Sequence, residues 1–139
     1  MSPEEREAFL SRPHVGVLGV DDPGHGPLTI PIWYGYEPGR DVVILTGPNS
    51  KKAKLITAAG RFSLCAQQEA LPYRYVMCEG PVNEVRPADL EADERPMAHR
   101  YLGEQMGDRY CEDTGAVESL RISMPPERWY SVDYGTSEG

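Results

Sequence analysis

The sequence predicts a mainly β, α+β fold: an antiparallel β-barrel of six strands with peripheral helices. Strand-like segments follow one another with short turns between them, as in antiparallel barrels. The chain of 139 residues contains 14 glycines and 13 prolines, which mark many turns. No internal repeat or linker divides it. We therefore expect one domain over residues 1–139, with a mobile tail at 136–139.

The first predicted element is an N-terminal helix over residues 1–12. Ser2 is suited to cap it, Pro3 suits the first turn and Glu5 completes a capping box. Pro13 should end the helix, because proline cannot continue its hydrogen bonding.

Three strands are predicted next, at 14–20, 28–36 and 41–47. In the second strand, alternate residues place five side chains on one face: Leu28, Ile30, Ile32, Tyr34 and Tyr36. The turn at 37–40 is short, so we interpret the second and third strands as a hairpin.

A helix capped by Ser50 is predicted to run to about Ala59, with Gly60 as its C-cap. A fourth strand follows at 61–67, and residues 70–85 hold a long fifth strand, bent at its Gly-Pro pair.

The C-terminal third alternates polar and apolar segments. Residues 87–106 are helix-rich with an interruption at Pro96, and residues 107–119 read as a loop. Residues 119–123 and 128–133 read as one last strand, broken at the Pro-Pro pair between them.

Charge and composition exclude several functions. Twenty-two acids against 14 bases give a net charge of −8, which argues against nucleic acid or an anionic membrane as partner. There is no membrane-spanning apolar run and no signal-peptide pattern at the N-terminus. Cys65, Cys78 and Cys111 are widely spaced, so neither a metal site nor a disulfide framework is indicated. A reducing cytoplasm fits this cysteine usage best.

Lys51, Lys52 and Lys54 form a cluster in the first turn of the predicted Ser50 helix. Positive charge is unfavourable at a helix N-terminus unless an anion binds there. Backbone N–H groups, the Ser50 hydroxyl and the ammonium groups can then converge on a phosphate. The alternative is a solvated helix end with ordinary surface lysines.

Pro31 lies inside a predicted strand, where it donates no backbone hydrogen bond. The interrupted ladder leaves neighbouring backbone groups free for a planar, amide-bearing ring, with Trp33 on the same side as Pro31. The alternative is an edge strand in which Pro31 protects against aggregation.

Tyr73 and Tyr75 share one strand face, and Arg74 points to the other. Arg74 can pair with a bound carboxylate or phosphate, or it can form a cross-strand salt bridge.

Side chains suited to direct catalysis are few. His99 and Cys111 lack a third orienting group, so no catalytic residue is assigned. Asp108 and its acidic neighbours are expected in a solvated loop, and Glu79 is expected to pair across the sheet.

The order of the segments PIWY, LTG, SKKAKL, RFSLCAQQE, PYRYVMCEG and RYLG resembles the split β-barrel superfamily of pyridoxamine 5′-phosphate oxidase-like flavin and deazaflavin proteins. The resemblance extends from about Glu4 to Tyr134 and is nearest to small actinobacterial proteins that use coenzyme F420. It implies an FMN-binding type of split barrel that forms a homodimer, with cofactor sites at the subunit interface.

The resemblance also implies a set of cofactor-binding residues. The strand beside the ring matches Pro31, Ile32 and Trp33. The phosphate-binding stretch matches Thr46, Gly47, Ser50, Lys51, Lys52 and Lys54, with Arg61 as a further candidate. Tyr73, Arg74 and Tyr75 match a strand near the cofactor and the dimer interface, and residues 129–135 match a wall of the partner's pocket.

The implied function is an oxidoreductase that passes hydride between F420 and a small electron-poor substrate. The alternatives are an FMN-dependent oxidase or reductase, a non-catalytic flavin or haem carrier, and a barrel dimer that has lost its ligand. For haem, the candidate axial ligands are His14, His25 and His99. The C-terminal arginine/proline pattern of true pyridoxamine phosphate oxidases is absent, which disfavours vitamin B6 oxidation.

Overall fold

The computed structural model describes residues 1–114 and 117–135, which contain three α-helices and eight strands. The helices are α1 (Pro3–Ser11), α2 (Lys51–Ala59) and α3 (Arg95–Thr114), with a π-helical turn at Leu90–Glu94 before α3. The strands are β1 (Gly16–Val20), β2 (Leu28–Ile32), β3 (Val42–Thr46), β4 (Arg61–Gln68), β5 (Arg74–Pro81), β6 (Glu84–Pro87), β7 (Leu120–Met124) and β8 (Arg128–Asp133). The predicted tail at 136–139 lies outside the described residues.

The strands form two antiparallel sheets, ordered β2-β1-β4-β5-β8 and β3-β7-β6. The predicted α+β class with antiparallel sheets is confirmed, and the arrangement is that of a split barrel. The count of six strands is too low. The predicted fifth strand is divided into β5 and β6, and the predicted last strand into β7 and β8, with the members of each pair in different sheets.

The predicted hairpin of the second and third strands is wrong. β2 pairs with β1 and β3 pairs with β7, and a single bridge between Gly35 and Val43 connects the two segments. β2 ends at Ile32 because the chain then crosses between the sheets. The alternation of side chains nevertheless persists through the crossing, since Tyr34 and Tyr36 are both buried in the core.

The ends of α1 and α2 have the predicted caps. The Ser2 hydroxyl accepts the Glu5 N–H at 3.1 Å, and the Glu5 carboxylate accepts the Ser2 N–H at 3.2 Å. The Ser50 hydroxyl accepts the Ala53 N–H at 3.1 Å. Gly60 ends α2 in the left-handed region, at φ 72°.

Helix α3 corrects two predictions. Pro96 does not stop the helical path: it is the second residue of α3, directly after the π-helical turn, and the backbone remains helical through it. Residues 107–114 are helical rather than a loop, and the break lies at Gly103, with φ 81° and ψ 173°. Asp108 joins the two halves, 2.7 Å from Arg95 Nη1 and 2.6 Å from His99 Nε2. The expected solvated acidic loop is therefore part of a bent, ion-paired helix.

Across 1–114 and 117–135, no helix combines the length and the apolar character needed to span a membrane.

Candidate functional site

A pocket of about 390 Å³ opens where the end of β2, the end of β3, the start of α2 and helix α3 meet. Six of the predicted site residues line it: Pro31, Ile32, Trp33, Thr46, Gly47 and Lys52. Its remaining lining comes from Leu45 and from the C-terminal third of the chain: Glu94, Met97, Ala98, Tyr110, Thr114, Val117, Glu118 and Ser119.

The β2 wall of the pocket is a sheet edge. β2 is the outermost strand of its sheet and pairs with β1 alone, with Pro31 opposite Val17. The interpretation of Pro31 as an edge-strand residue is therefore confirmed. At the Pro31–Ile32 end, which lines the pocket, the outer edge of β2 is therefore not paired with another strand, and its backbone groups can face a ligand.

Helix α3 fixes Trp33 in the pocket wall. The ring of Tyr101 stacks on Trp33 with centroids 4.9 Å apart and planes 6° apart. The Tyr101 hydroxyl accepts the Tyr34 N–H at 3.0 Å and donates to the His14 carbonyl at 2.6 Å. Tyr101 thus covers one face of the indole and holds the chain where it leaves β2.

The end of β3 and the start of α2 meet at one end of the pocket, where Thr46 and Lys52 line it; Ser50 is outside the lining and contacts it through Thr46. Thr46 Oγ1 and Ser50 Oγ lie 2.9 Å apart, and Thr46 is buried. When Thr46 donates this bond, Ser50 accepts it together with the Ala53 N–H, and the Ser50 proton is free for a ligand. The N–H groups of Lys51 and Lys52 have no partner within the helix, as in any first turn. This end of the pocket therefore favours an anion.

The three clustered lysines have different surroundings. Lys52 is half-buried and lines the pocket. Lys51 Nζ lies 3.3 Å from the Asp22 carboxylate, and Lys54 is exposed and outside the pocket lining. Within one protomer, Lys52 is thus the member of the cluster directed to this site.

Three other predicted residues lie away from this pocket. Arg61 follows the opposite end of α2 and lies 3.7 Å from the Glu79 and Glu127 carboxylates. Arg74 forms a cross-strand ion pair with Asp133 at 3.2 Å, and Tyr73 is 54% exposed.

These contacts confirm the cross-strand interpretation of Arg74. Glu79 likewise pairs across the sheet as expected, 3.2 Å from Arg128 Nε. A role of Arg74 or Tyr73 at a cofactor site requires a second subunit, since one protomer does not bring them to the pocket.

Sequence reasoning missed the contribution of helix α3. Tyr101 and Arg100 belong to the RYLG segment, to which no role was attached. The Arg100 guanidinium donates to the Ser11 carbonyl at 2.7 Å and to the Arg12 carbonyl at 2.8 Å, so it fastens α3 to the end of α1. Contacts across 87 to 90 residues carry no local signal, which is why the segment alone did not predict them.

In the part of the chain that the structure describes, His99 and Cys111 are not paired with each other. His99 is engaged by Asp108 rather than by Cys111, and burial raises the pKa of the Cys111 thiol. Burial raises the pKa of Cys78 to about 12, with a smaller contribution from Cys65. In the described parts of the chain, no group of three His, Cys, Asp or Glu side chains is placed to hold a metal ion.

None of the three histidines lines the pocket. His14 is stacked on Phe9 at 4.3 Å, and its Nε2 lies 3.1 Å from the Phe9 carbonyl. Burial lowers the pKa of His14.

Comparison with known proteins assigns the class. The family model described as pyridoxamine 5′-phosphate oxidase matches residues 2–128, so the chain belongs to this family. The superfamily indicated by the sequence segments is thereby confirmed. Comparison with curated protein sequences gives no match.

Solved structures show the same fold at low sequence identity. A conserved hypothetical protein from Mycobacterium tuberculosis superposes with a TM-score of 0.72 at 20% identity, over 96% of this chain and 86% of that one. A protein described as an F420 reductase gives 0.70 at 22% identity, over 89% and 94% of the chains. An FAD-binding protein from Mesorhizobium loti gives 0.66 at 18% identity, over 94% of each chain.

Proposed function

We propose that the protein is an oxidoreductase that binds coenzyme F420 and transfers hydride between this deazaflavin and a small electron-poor organic substrate. The observation that carries the proposal is the pocket, in which an open sheet edge and an aromatic wall adjoin an anion-favouring helix start. A structural neighbour described as an F420 reductase supports this choice of cofactor.

The residues present fit a planar ring bearing a phosphate. The open edge of β2 at Pro31 and Ile32 offers backbone groups to the ring, and Trp33 offers apolar surface beside it. Lys52 in the lining suits the phosphate, as do the first N–H groups of α2 and the Ser50 hydroxyl next to Thr46. Once bound, the deazaflavin supplies the hydride chemistry.

The protein's own role is to bind, orient and exclude water. Tyr101 holds Trp33 and the end of β2 in place, and the buried Thr46 orients the Ser50 hydroxyl. Met97 and Ala98 are buried apolar residues of the pocket wall, which limit the access of water to the ring site. No side chain is required as a proton donor or nucleophile in this scheme.

We further propose that two copies form a homodimer with the cofactor sites at their interface. The outer face of the larger sheet carries an apolar row, in register across the strands, that begins beside the pocket: Pro31, Val17, Cys65, Met77 and Tyr130. Val17 is 39% and Tyr130 64% exposed, so this face has apolar surface available for a partner. A second copy on this face would also contact the side of β5 that carries Tyr75 and Met77, next to Tyr73, whereas Arg74 lies on the opposite face and pairs with Asp133.

FMN is the second candidate cofactor, because it offers the same combination of planar ring and phosphate. The neighbour described as FAD-binding favours this alternative. A non-catalytic flavin carrier would use the same pocket without a substrate.

The three cysteines are free, which suits the reducing, cytoplasmic setting that we propose for the protein.

The test is a fluorescence titration of the purified protein with F420, alongside parallel titrations with FMN and haem. Saturable quenching by the protein, with F420 bound more tightly than FMN, supports the proposal. Tighter FMN binding selects the flavin alternative, and a Soret band on haem addition selects a haem carrier. Light scattering on the same sample measures the subunit number, and a monomer with a complete F420 site would contradict the interface arrangement.

A further inference from the structure

The pocket has a charge distribution that the proposed cofactor does not account for. Of its described lining residues, Lys52 is the one cation, whereas Glu94 and Glu118 both contribute carboxylates. A phosphate held at the start of α2 neutralises Lys52 and adds further negative charge. Any second molecule entering the pocket then meets a net negative field.

Glu94 is fixed rather than freely solvated. It is half-buried at the end of the π-helical turn, and its Oε1 accepts the Ser119 hydroxyl at 2.9 Å. Glu118 is exposed at the rim. Neither carboxylate forms an ion pair within residues 1–114 and 117–135, so their charge is not cancelled locally.

The rest of the wall is apolar and partly aromatic. The Tyr110 ring lies 5.7 Å from Trp33 at an angle of 49°, and Met97 and Ala98 are buried beside them. Tyr101 already covers one face of Trp33, so the surface left for a ligand is bounded by Tyr110. Such a wall favours flat ring compounds.

We propose that the substrate site takes planar, apolar ring compounds that carry no negative charge, and that Glu94 and Glu118 determine this selectivity by repelling anions. This inference rests on the proposed function for the location of the second molecule beside a bound cofactor. The two glutamates are specificity-determining residues, with no part in the transfer of hydride.

Three probes of one ring skeleton test the proposal: 4-nitrobenzyl alcohol, 4-nitrobenzoate and 4-nitrobenzyltrimethylammonium. Their binding is measured by calorimetry on protein saturated with F420 or FMN. We expect the benzoate to bind about tenfold more weakly than the alcohol, and the cation to bind at least as tightly as the alcohol. In the double variant Glu94→Gln/Glu118→Gln the difference between benzoate and alcohol should shrink to about twofold.

The matched control is Glu104→Gln/Glu112→Gln, which changes the net charge equally at two exposed residues of α3 outside the pocket lining. This control should keep the tenfold preference. The single variant Glu118→Gln, at an exposed position, should give an intermediate preference and does not depend on the packing of Glu94. Equal binding of benzoate and alcohol by the unmodified protein, or an unchanged preference in the double variant, would overturn the proposal.

Failure of the charge selectivity and failure of the cofactor assignment give different results. If neither F420 nor FMN binds, the proposed function fails on that result alone. The charge preference is then measured without cofactor in Lys52→Gln, where the cation of the pocket is removed. Weak benzoate binding there supports the selectivity by Glu94 and Glu118, and tight benzoate binding contradicts it.

Discussion

Replacing Lys52 with alanine is the sharpest test of the anion end of the pocket. Lys52 is half-buried and lines the pocket, whereas Lys51 is engaged by Asp22 and Lys54 is exposed outside it. At about 4 Å, an ammonium and a phosphate charge attract by roughly 1 kcal/mol in water and more in a partly buried site. Because the pocket opens to solvent, we take about 1 kcal/mol, which is about a fivefold increase in the cofactor Kd.

The assay is the F420 fluorescence titration at low salt and at high salt. The effect of Lys52→Ala should fall as salt is added, because the Debye length shrinks from about 30 Å at 0.01 M to about 3 Å at 1 M. Lys54→Ala is the matched control and should change the Kd less than about twofold, since an exposed charge outside the pocket contributes little. Equal, salt-independent Kd values for the unmodified and Lys52→Ala chains would refute the phosphate assignment.

Three further predictions concern the residues that build the site. Tyr101→Phe keeps the ring stacked on Trp33 but leaves the Tyr34 N–H without its acceptor. The free energy of unfolding in urea titrations should therefore fall by about 1–2 kcal/mol, and an unchanged urea midpoint would contradict this role of the hydroxyl. Gly80→Ala should lower the free energy of unfolding by about 3 kcal/mol or more, because the added Cβ would overlap the Pro125 carbonyl oxygen. Gly26→Ala, which has open space around it, is the control and should leave the melting temperature nearly unchanged. Hydrogen bonds from His99, and next from Arg95, lower the pKa of Asp108 below its ordinary value of 3.8. The ionised Asp108 therefore stabilises the fold above that value, and this stability is lost as the pH falls through the lower folded pKa. Asp108→Asn should make the free energy of unfolding less dependent on pH in acid, and an unchanged pH dependence would contradict this role.

The local elements of the fold were largely predictable from the sequence. Caps depend on residues three or four positions apart, so Ser2, Ser50 and Gly60 were identified from the sequence. The alternation from Leu28 to Tyr36 likewise indicated a buried face, although β2 ends at Ile32. Strand pairing was harder to predict, because a short turn between two strands favours a hairpin even when the chain crosses to another sheet.

Only the side of the pocket formed by the ends of β2 and β3 and the start of α2 was predicted from the sequence. Pro31, Trp33 and Lys52 lie on segments with a visible local pattern, and the structure brings them together. The wall from α3 includes the bend at Gly103, and residues on both sides of this bend, Tyr101 and Tyr110, lie against Trp33. Tyr110 and Glu94 have no local feature that marks them as pocket residues, so only the tertiary structure identifies them.

Arg100 gives the N-terminal helix an influence on the pocket. Its guanidinium is held by the carbonyls of Ser11 and Arg12, while the next residue, Tyr101, supports Trp33. Removing residues 1–12 would deprive this cation of its acceptors and loosen the wall that it anchors. Truncating or tagging the N-terminus should therefore weaken ligand binding at the pocket, because α1 and α3 are joined through Arg100 although they are far apart in the sequence.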